Sequence, residues 1–73
     1  MHSMPRLAIR VRILLLLKKV PMNSLELSQR IGCSLEEVER ECFYLKENGR
    51  IEEIRSEKFN EYFWRLKNAE GRI

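Results

Sequence analysis

The sequence predicts a small α+β domain in which three helices are followed by a two-stranded antiparallel hairpin. Two capping boxes, Asn23 with Glu26 and Ser34 with Glu37, stand where apolar residues take on helical spacing. After Gly49 this spacing ends, and two short segments rich in Ile, Tyr, Phe and Trp follow. A chain of 73 residues can bury one modest core and leaves no room for a second domain.

The first helix is predicted over residues 5–20. It begins at Pro5, where the missing N–H costs little, and ends before Pro21. Two apolar stripes run along it on roughly opposite sides, so it is expected to be covered on both. Two alternatives would cover the second stripe: other elements of the same domain, or a second copy of the chain in a homodimer. The core stripe is Ile9, Ile13, Leu16, Leu17 and Val20, and the second stripe is Leu7, Val11, Leu14 and Leu15.

The second and third helices are predicted from their end signals. Residues 23–31 form the second helix, which Met22 and Leu27 flank as a hydrophobic staple and Gly32 ends. The third helix covers residues 34–48 and ends at a second glycine. A turn of about three residues that contains glycine is typical of a helix-turn-helix.

Residues 50–55 and 61–67 are predicted to be strands that pair as a hairpin. Side chains on the second strand alternate, so that one set faces the helices and the other faces water. The single tryptophan is expected in the core or at a seam between elements, and not at a ligand. One set is Tyr62, Trp64 and Leu66, and the other is Phe63 and Arg65.

The residue types do not suggest catalysis or metal binding. The only histidine is His2, and Cys33 and Cys42 lack the spacing of paired metal ligands. Both cysteines stand at positions that the helical pattern makes apolar, which predicts small buried side chains. There is no glycine-rich phosphate loop, and no histidine or aspartate to assist a Ser or Cys nucleophile. We therefore expect a non-enzyme with no metal and no cofactor.

The longest uninterrupted apolar run, residues 13–17, is far shorter than the roughly 20 residues of a membrane-spanning helix. The chain is accordingly expected to be cytoplasmic. Residues 1–4 are expected to be a disordered start or an expression remnant, and residues 68–73 a frayed tail. Residues 5–67 are left as the domain.

The order helix, helix, short turn, helix, hairpin resembles the winged helix-turn-helix family from residue 6 to about residue 67. The segment "NSLELSQRIGCSLEEVERECFYLKENGRIEEI" is similar to the family's second and third helices and first wing strand. The resemblance implies a three-helix winged helix-turn-helix with a C-terminal two-stranded β-hairpin wing. The family's usual core positions fall on Leu27, Ile31, Val38, Cys42, Leu45 and Ile51, and its usual turns on Gly32 and Gly49.

In the DNA-binding members of this family, the third helix enters the major groove and the wing touches the backbone or the minor groove. The resemblance therefore implies a transcriptional regulator that binds double-stranded DNA. The family's DNA-contacting positions correspond to Leu35, Glu36, Glu39, Arg40, Phe43 and Tyr44 on the third helix and to Arg55 and Lys58 on the wing.

The charge of the third helix departs from this pattern. Residues 34–48 hold five glutamates against one arginine and one lysine, a net charge of −3 within a chain of net charge +3. Since Lys and Arg supply affinity for phosphates, the wing is expected to contribute more than this helix to DNA binding. A second hypothesis is that Phe43 and Tyr44, framed by glutamates, dock on a basic protein partner, because exposed aromatics with an acidic rim suit a protein interface.

Overall fold

The structure is a computed structural model that describes residues 4–67. Its α+β architecture, three helices followed by an antiparallel hairpin, confirms the predicted fold class. The expected frayed tail, residues 68–73, and residues 1–3 of the expected disordered start lie outside the described residues. Met4, the last residue of that start, packs against the core. The helices are α1 (Arg6–Leu17), α2 (Ser24–Ile31) and α3 (Leu35–Glu47), and the strands are β1 (Ile51–Ser56) and β2 (Glu61–Leu66).

Helix α1 ends at Leu17, three residues before the predicted end. Residues 18–20 form a turn in which the Lys18 N–H still bonds to the Leu14 carbonyl at 3.0 Å. The ring of Pro21 disfavours helical backbone at Val20, which explains the early end. Val20 is consequently 49% exposed, and the prediction that it belongs to the core is wrong.

The core lies where the three helices meet the base of the hairpin. Ile9, Ile13 and Leu17 supply the α1 side. Leu16, also predicted for the core stripe, packs against the edge of this core and is only partly buried. One residue corresponds to about 100° around a helix, which turns Leu16 away from the direction of Leu17. The residues at the family's usual core positions are all buried: Leu27, Ile31, Val38, Cys42, Leu45 and Ile51.

Both predicted capping boxes are present and define the helix-turn-helix. The Asn23 side chain accepts the Glu26 N–H at 2.7 Å, and the Ser34 hydroxyl accepts the Glu37 N–H at 3.0 Å. Each glutamate side chain in turn accepts the backbone N–H of its capping residue. Gly32 ends α2 at φ 87°, a left-handed conformation that favours glycine. These local contacts set the direction in which α3 leaves the turn.

The second apolar stripe of α1 is not covered within residues 4–67. Leu7, Val11 and Leu15 are 68%, 47% and 58% exposed, and we call these three residues the α1 stripe. Leu14, also predicted for this stripe, packs partly against the core instead. The prediction that other elements of the same domain cover the stripe is therefore wrong for the described part of the chain.

The hairpin is anchored to the helices through Trp64. Its side chain is buried, and its indole N–H donates to the Ser24 hydroxyl at 2.8 Å. Its backbone N–H and C=O pair with Met22, which precedes α2. The expected place of the tryptophan in the core is confirmed, and the wing is consequently fixed beside the start of α2.

The predicted alternation along β2 holds only near its base. Leu66 packs against the core, but Tyr62 is 59% exposed. On the outer face Phe63 is half-buried, beside its strand partner Ile54. The set that contains Trp64 is therefore the one on the side of the helices, but its burial is lost at Tyr62.

Candidate nucleic-acid interface

The outer face of α3 is open to solvent. Val38, Cys42 and Leu45 turn one side of this helix into the core, so the residues between them face outward. The structure exposes every candidate residue on this helix: Leu35, Glu36, Glu39, Arg40, Phe43 and Tyr44. These side chains therefore share one solvent-exposed surface.

The two exposed aromatic residues of α3 contact different neighbours. The Phe43 ring packs against the wing: its centroid lies 5.5 Å from that of the Trp64 ring, and the two rings are perpendicular. The Tyr44 ring packs against α1, because the central carbon of the Arg10 guanidinium lies 3.6 Å from the ring centroid. Arg40 lies one turn earlier, on the surface between these rings. Phe43 and Tyr44 therefore do not form one continuous aromatic patch.

One of the five α3 glutamates is buried and forms an ion pair with an arginine. The Glu41 side chain is 2% exposed and accepts a hydrogen bond from Arg10 Nε at 2.7 Å, while Arg6 Nε lies 3.9 Å away. Sequence reasoning missed this pair. The available signal was a glutamate at core spacing, three residues after Val38, facing an arginine at the border of the α1 core stripe. The outer face of α3 is consequently less acidic than the amino-acid composition of the whole helix suggests.

The wing tip carries the two other candidate residues, Arg55 and Lys58, and both are exposed. Arg55 donates a hydrogen bond to the Asn60 side chain, and the Lys58 ammonium lies 5.5 Å from the centroid of the Phe59 ring. Neither forms an ion pair with a residue that the structure describes. Their positive charges are thus available to phosphates, although Glu57 stands between them in sequence.

A concave surface separates α3 from the wing, and we call it the wing groove. It encloses about 540 Å³ between the start of α2, the outer side of α3 and strand β2. No lysine or arginine lines it. Its lining is Asn23, Ser24, Leu25, Leu35, Glu39, Phe43, Glu53, Glu61, Tyr62 and Trp64.

The cysteines are buried to different extents. Burial, followed by the carboxylates of Glu39 and Glu41, raises the pKa of the Cys42 thiol to about 12. Burial, followed by Glu37, also raises the pKa of Cys33, which is half-buried in the turn between α2 and α3. Both thiols therefore stay protonated at neutral pH, which agrees with a packing role.

No three histidine, cysteine or acidic side chains of residues 4–67 come together as metal ligands. None of the described helices has the length and apolar character that crossing a membrane requires.

No family model matches the sequence, and no curated protein matches it either. Among solved structures, a point mutant of ZitR from Lactococcus lactis is similar, with a TM-score of 0.80 and 19% sequence identity. The similarity covers 84% of this chain but only 42% of the ZitR chain, so this chain spans less than half of that length. This likeness shows a winged helix-turn-helix fold.

Proposed function

We propose that the chain is a small, non-enzymatic regulator of transcription that binds double-stranded DNA through α3 and the wing. The observation that carries the proposal is the open outer face of α3, which lies between α1 and a wing whose tip exposes Arg55 and Lys58. In this fold such a face fits the major groove while the wing reaches the sugar–phosphate backbone.

The side chains of α3 suit contacts with bases, and those of the wing tip suit contacts with phosphates. Arg40 can donate two hydrogen bonds to guanine, and a neighbouring glutamate such as Glu36 can accept one from cytosine. Neither contact supplies much non-specific affinity, because carboxylates repel phosphates. The wing tip supplies the phosphate contacts instead. The burial of Glu41 beneath Arg10 helps, since it removes one negative charge from the surface that meets DNA.

We further propose that two copies pair through the α1 stripe. Leu7, Val11 and Leu15 form an apolar surface on the side of α1 opposite the core. Monomers seldom leave such a contiguous stripe in water, and a symmetric pair would bury both copies. A single helix face is smaller than a standard interface of about 800 Å² per partner, so we expect a weak dimer.

The test of DNA binding is a titration of the full chain against a labelled generic duplex at several salt concentrations. We expect the logarithm of the association constant to fall linearly with the logarithm of salt, with a slope of about −0.9 per phosphate contact. Binding weaker than about 100 µM at low salt would overturn the proposal, because non-specific contacts alone reach that affinity.

A further inference from the structure

We infer that the wing groove is a docking site for a short segment of another protein that carries an arginine or lysine flanked by apolar side chains. The site goes beyond DNA binding, because its occupant and its chemistry are different. It also differs from a joint Phe43–Tyr44 patch, since only Phe43 lines the groove.

Large apolar side chains converge on the groove from three elements. Leu25 comes from α2, Leu35 and Phe43 from α3, and Tyr62 from β2. They are 54%, 43%, 50% and 59% exposed in that order, although they share one concave surface. Aromatic side chains in a concavity with a polar rim are typical of protein interaction sites. Trp64 lines the same groove, mostly beneath them.

The charges of the groove select a cationic occupant. Its three charged lining residues are all glutamates: Glu39, Glu53 and Glu61. Lys46 lies 3.6 Å from Glu53, and this partly neutralises one of them. Glu39 and Glu61 form no ion pair within the described part of the chain, although Asn23 donates a hydrogen bond to Glu61 at 3.0 Å.

The same charges exclude a nucleic-acid backbone and favour a protein segment. Phosphates would meet carboxylates with no cation in the lining, so DNA cannot lay its backbone in the groove. An arginine side chain suits the site better, because its guanidinium pairs with carboxylates and stacks on aromatic faces such as those of Phe43 and Tyr62. Apolar residues on either side of that arginine would cover Leu25 and Leu35.

An occupied groove also affects the proposed DNA-binding surface. Glu39 and Phe43 line the groove and belong to the face of α3 proposed to meet DNA. If the proposed function holds, a docked segment and a bound duplex exclude each other. The docking site itself does not depend on DNA binding, so the two proposals can fail separately.

The experiment uses the full chain without DNA and a blocked seven-residue peptide that alternates leucine and arginine. Trp64 is the only tryptophan, so its fluorescence reports the groove directly, and backbone amide shifts in NMR spectra locate the peptide. We expect saturable binding below about 1 mM, with shifts concentrated on residues lining the groove.

Matched variants separate docking from general charge attraction. The double variant Glu39→Gln/Glu61→Gln should weaken peptide binding at least fivefold, because it removes both carboxylates that lack an ion pair. The control Glu36→Gln/Glu47→Gln removes two exposed α3 carboxylates outside the groove and should leave affinity unchanged. Equal weakening by both variants, equal binding of a leucine–glutamate peptide, or shifts located elsewhere would each overturn the inference.

Discussion

Glu41 shows how one residue joins two elements. Its carboxylate is buried on α3 and is held by Arg10 from α1, which also stacks on Tyr44 one turn along α3. Removing one partner of a buried ion pair is costly because the other charge is left uncompensated. The contact therefore fixes the outer face of α3 relative to α1, beyond what apolar packing alone would do.

We predict that Arg10→Met lowers the free energy of unfolding by about 2 to 3 kcal/mol, since Glu41 stays buried with only Arg6 nearby. Urea denaturation measures the change. The control is Arg12→Met, which alters an exposed arginine on the same helix and should change stability by less than about 0.5 kcal/mol. Equal effects of the two substitutions would show that the buried pair has no special role.

Cys42 predicts a pH dependence of stability. Burial raises the pKa of its thiol from 9.0 to about 12, so between these values the folded chain keeps a proton that the unfolded chain releases. The free energy of unfolding therefore falls as pH rises above 9. From pH 8 to pH 10 we expect the parent chain to lose about 1 kcal/mol more than a Cys42→Ala variant.

Other titrating groups are shared by the parent chain and the Cys42→Ala variant, so their contributions cancel in that comparison. Chemical denaturation at the two pH values supplies the measurement. Identical pH dependence in both chains would mean that the Cys42 thiol ionises as readily in the folded state as in the unfolded state.

At the scale of elements, α3 and the wing differ in what they offer to DNA. Three of the five exposed charged residues of α3 are acidic, whereas the wing tip exposes Arg55 and Lys58. On the strands, Arg65 pairs with Glu52 at 2.7 Å, so its charge is already compensated. Affinity should therefore come from the wing tip, and discrimination among sequences from α3.

We predict that Lys58→Ala weakens binding to all duplexes alike and reduces the salt slope by about one for the phosphate contact it removes. Arg40→Ala should instead cost roughly 1 to 3 kcal/mol at a preferred site and change little on random DNA. Salt-dependent titrations of both variants on both duplexes check this difference. A larger general loss from Arg40→Ala than from Lys58→Ala would reverse the assignment.

At the scale of the whole molecule, the α1 stripe is an apolar surface that is left exposed. Within the described residues no other element covers it, and its two leucines are more than half exposed. All the charged residues on and just after α1 are basic, which weakens pairing between identical copies. Salt should therefore strengthen self-association through the stripe.

We predict that the parent chain dimerises at concentrations of tens of micromolar or above and that Val11→Glu keeps it monomeric, because a charge in an apolar interface is costly. Val20→Glu is the control, since Val20 is 49% exposed against 47% for Val11 but lies outside the stripe. Sedimentation velocity decides the matter. A parent chain that stays monomeric at every concentration would contradict the proposed dimer.

The elements and their order were predictable because short-range interactions produce them. Capping boxes at Asn23 and Ser34 and a glycine at φ 87° act within a few residues of the chain, so they can be recognised from spacing alone. The exposure of the candidate residues on α3 and the burial of Trp64 were predictable for the same reason, since periodicity indicates which face of an element turns inward.

Only the tertiary structure decided which element covers which face. Arg10 and Glu41 are 31 residues apart, and the wing groove brings together side chains from α2, α3 and β2. The uncovered α1 stripe and the separate neighbours of Phe43 and Tyr44 depend in the same way on how the helices pack. Apolar spacing reports that a face is buried, but the partner of that face follows from packing angles and long-range contacts that no local pattern encodes.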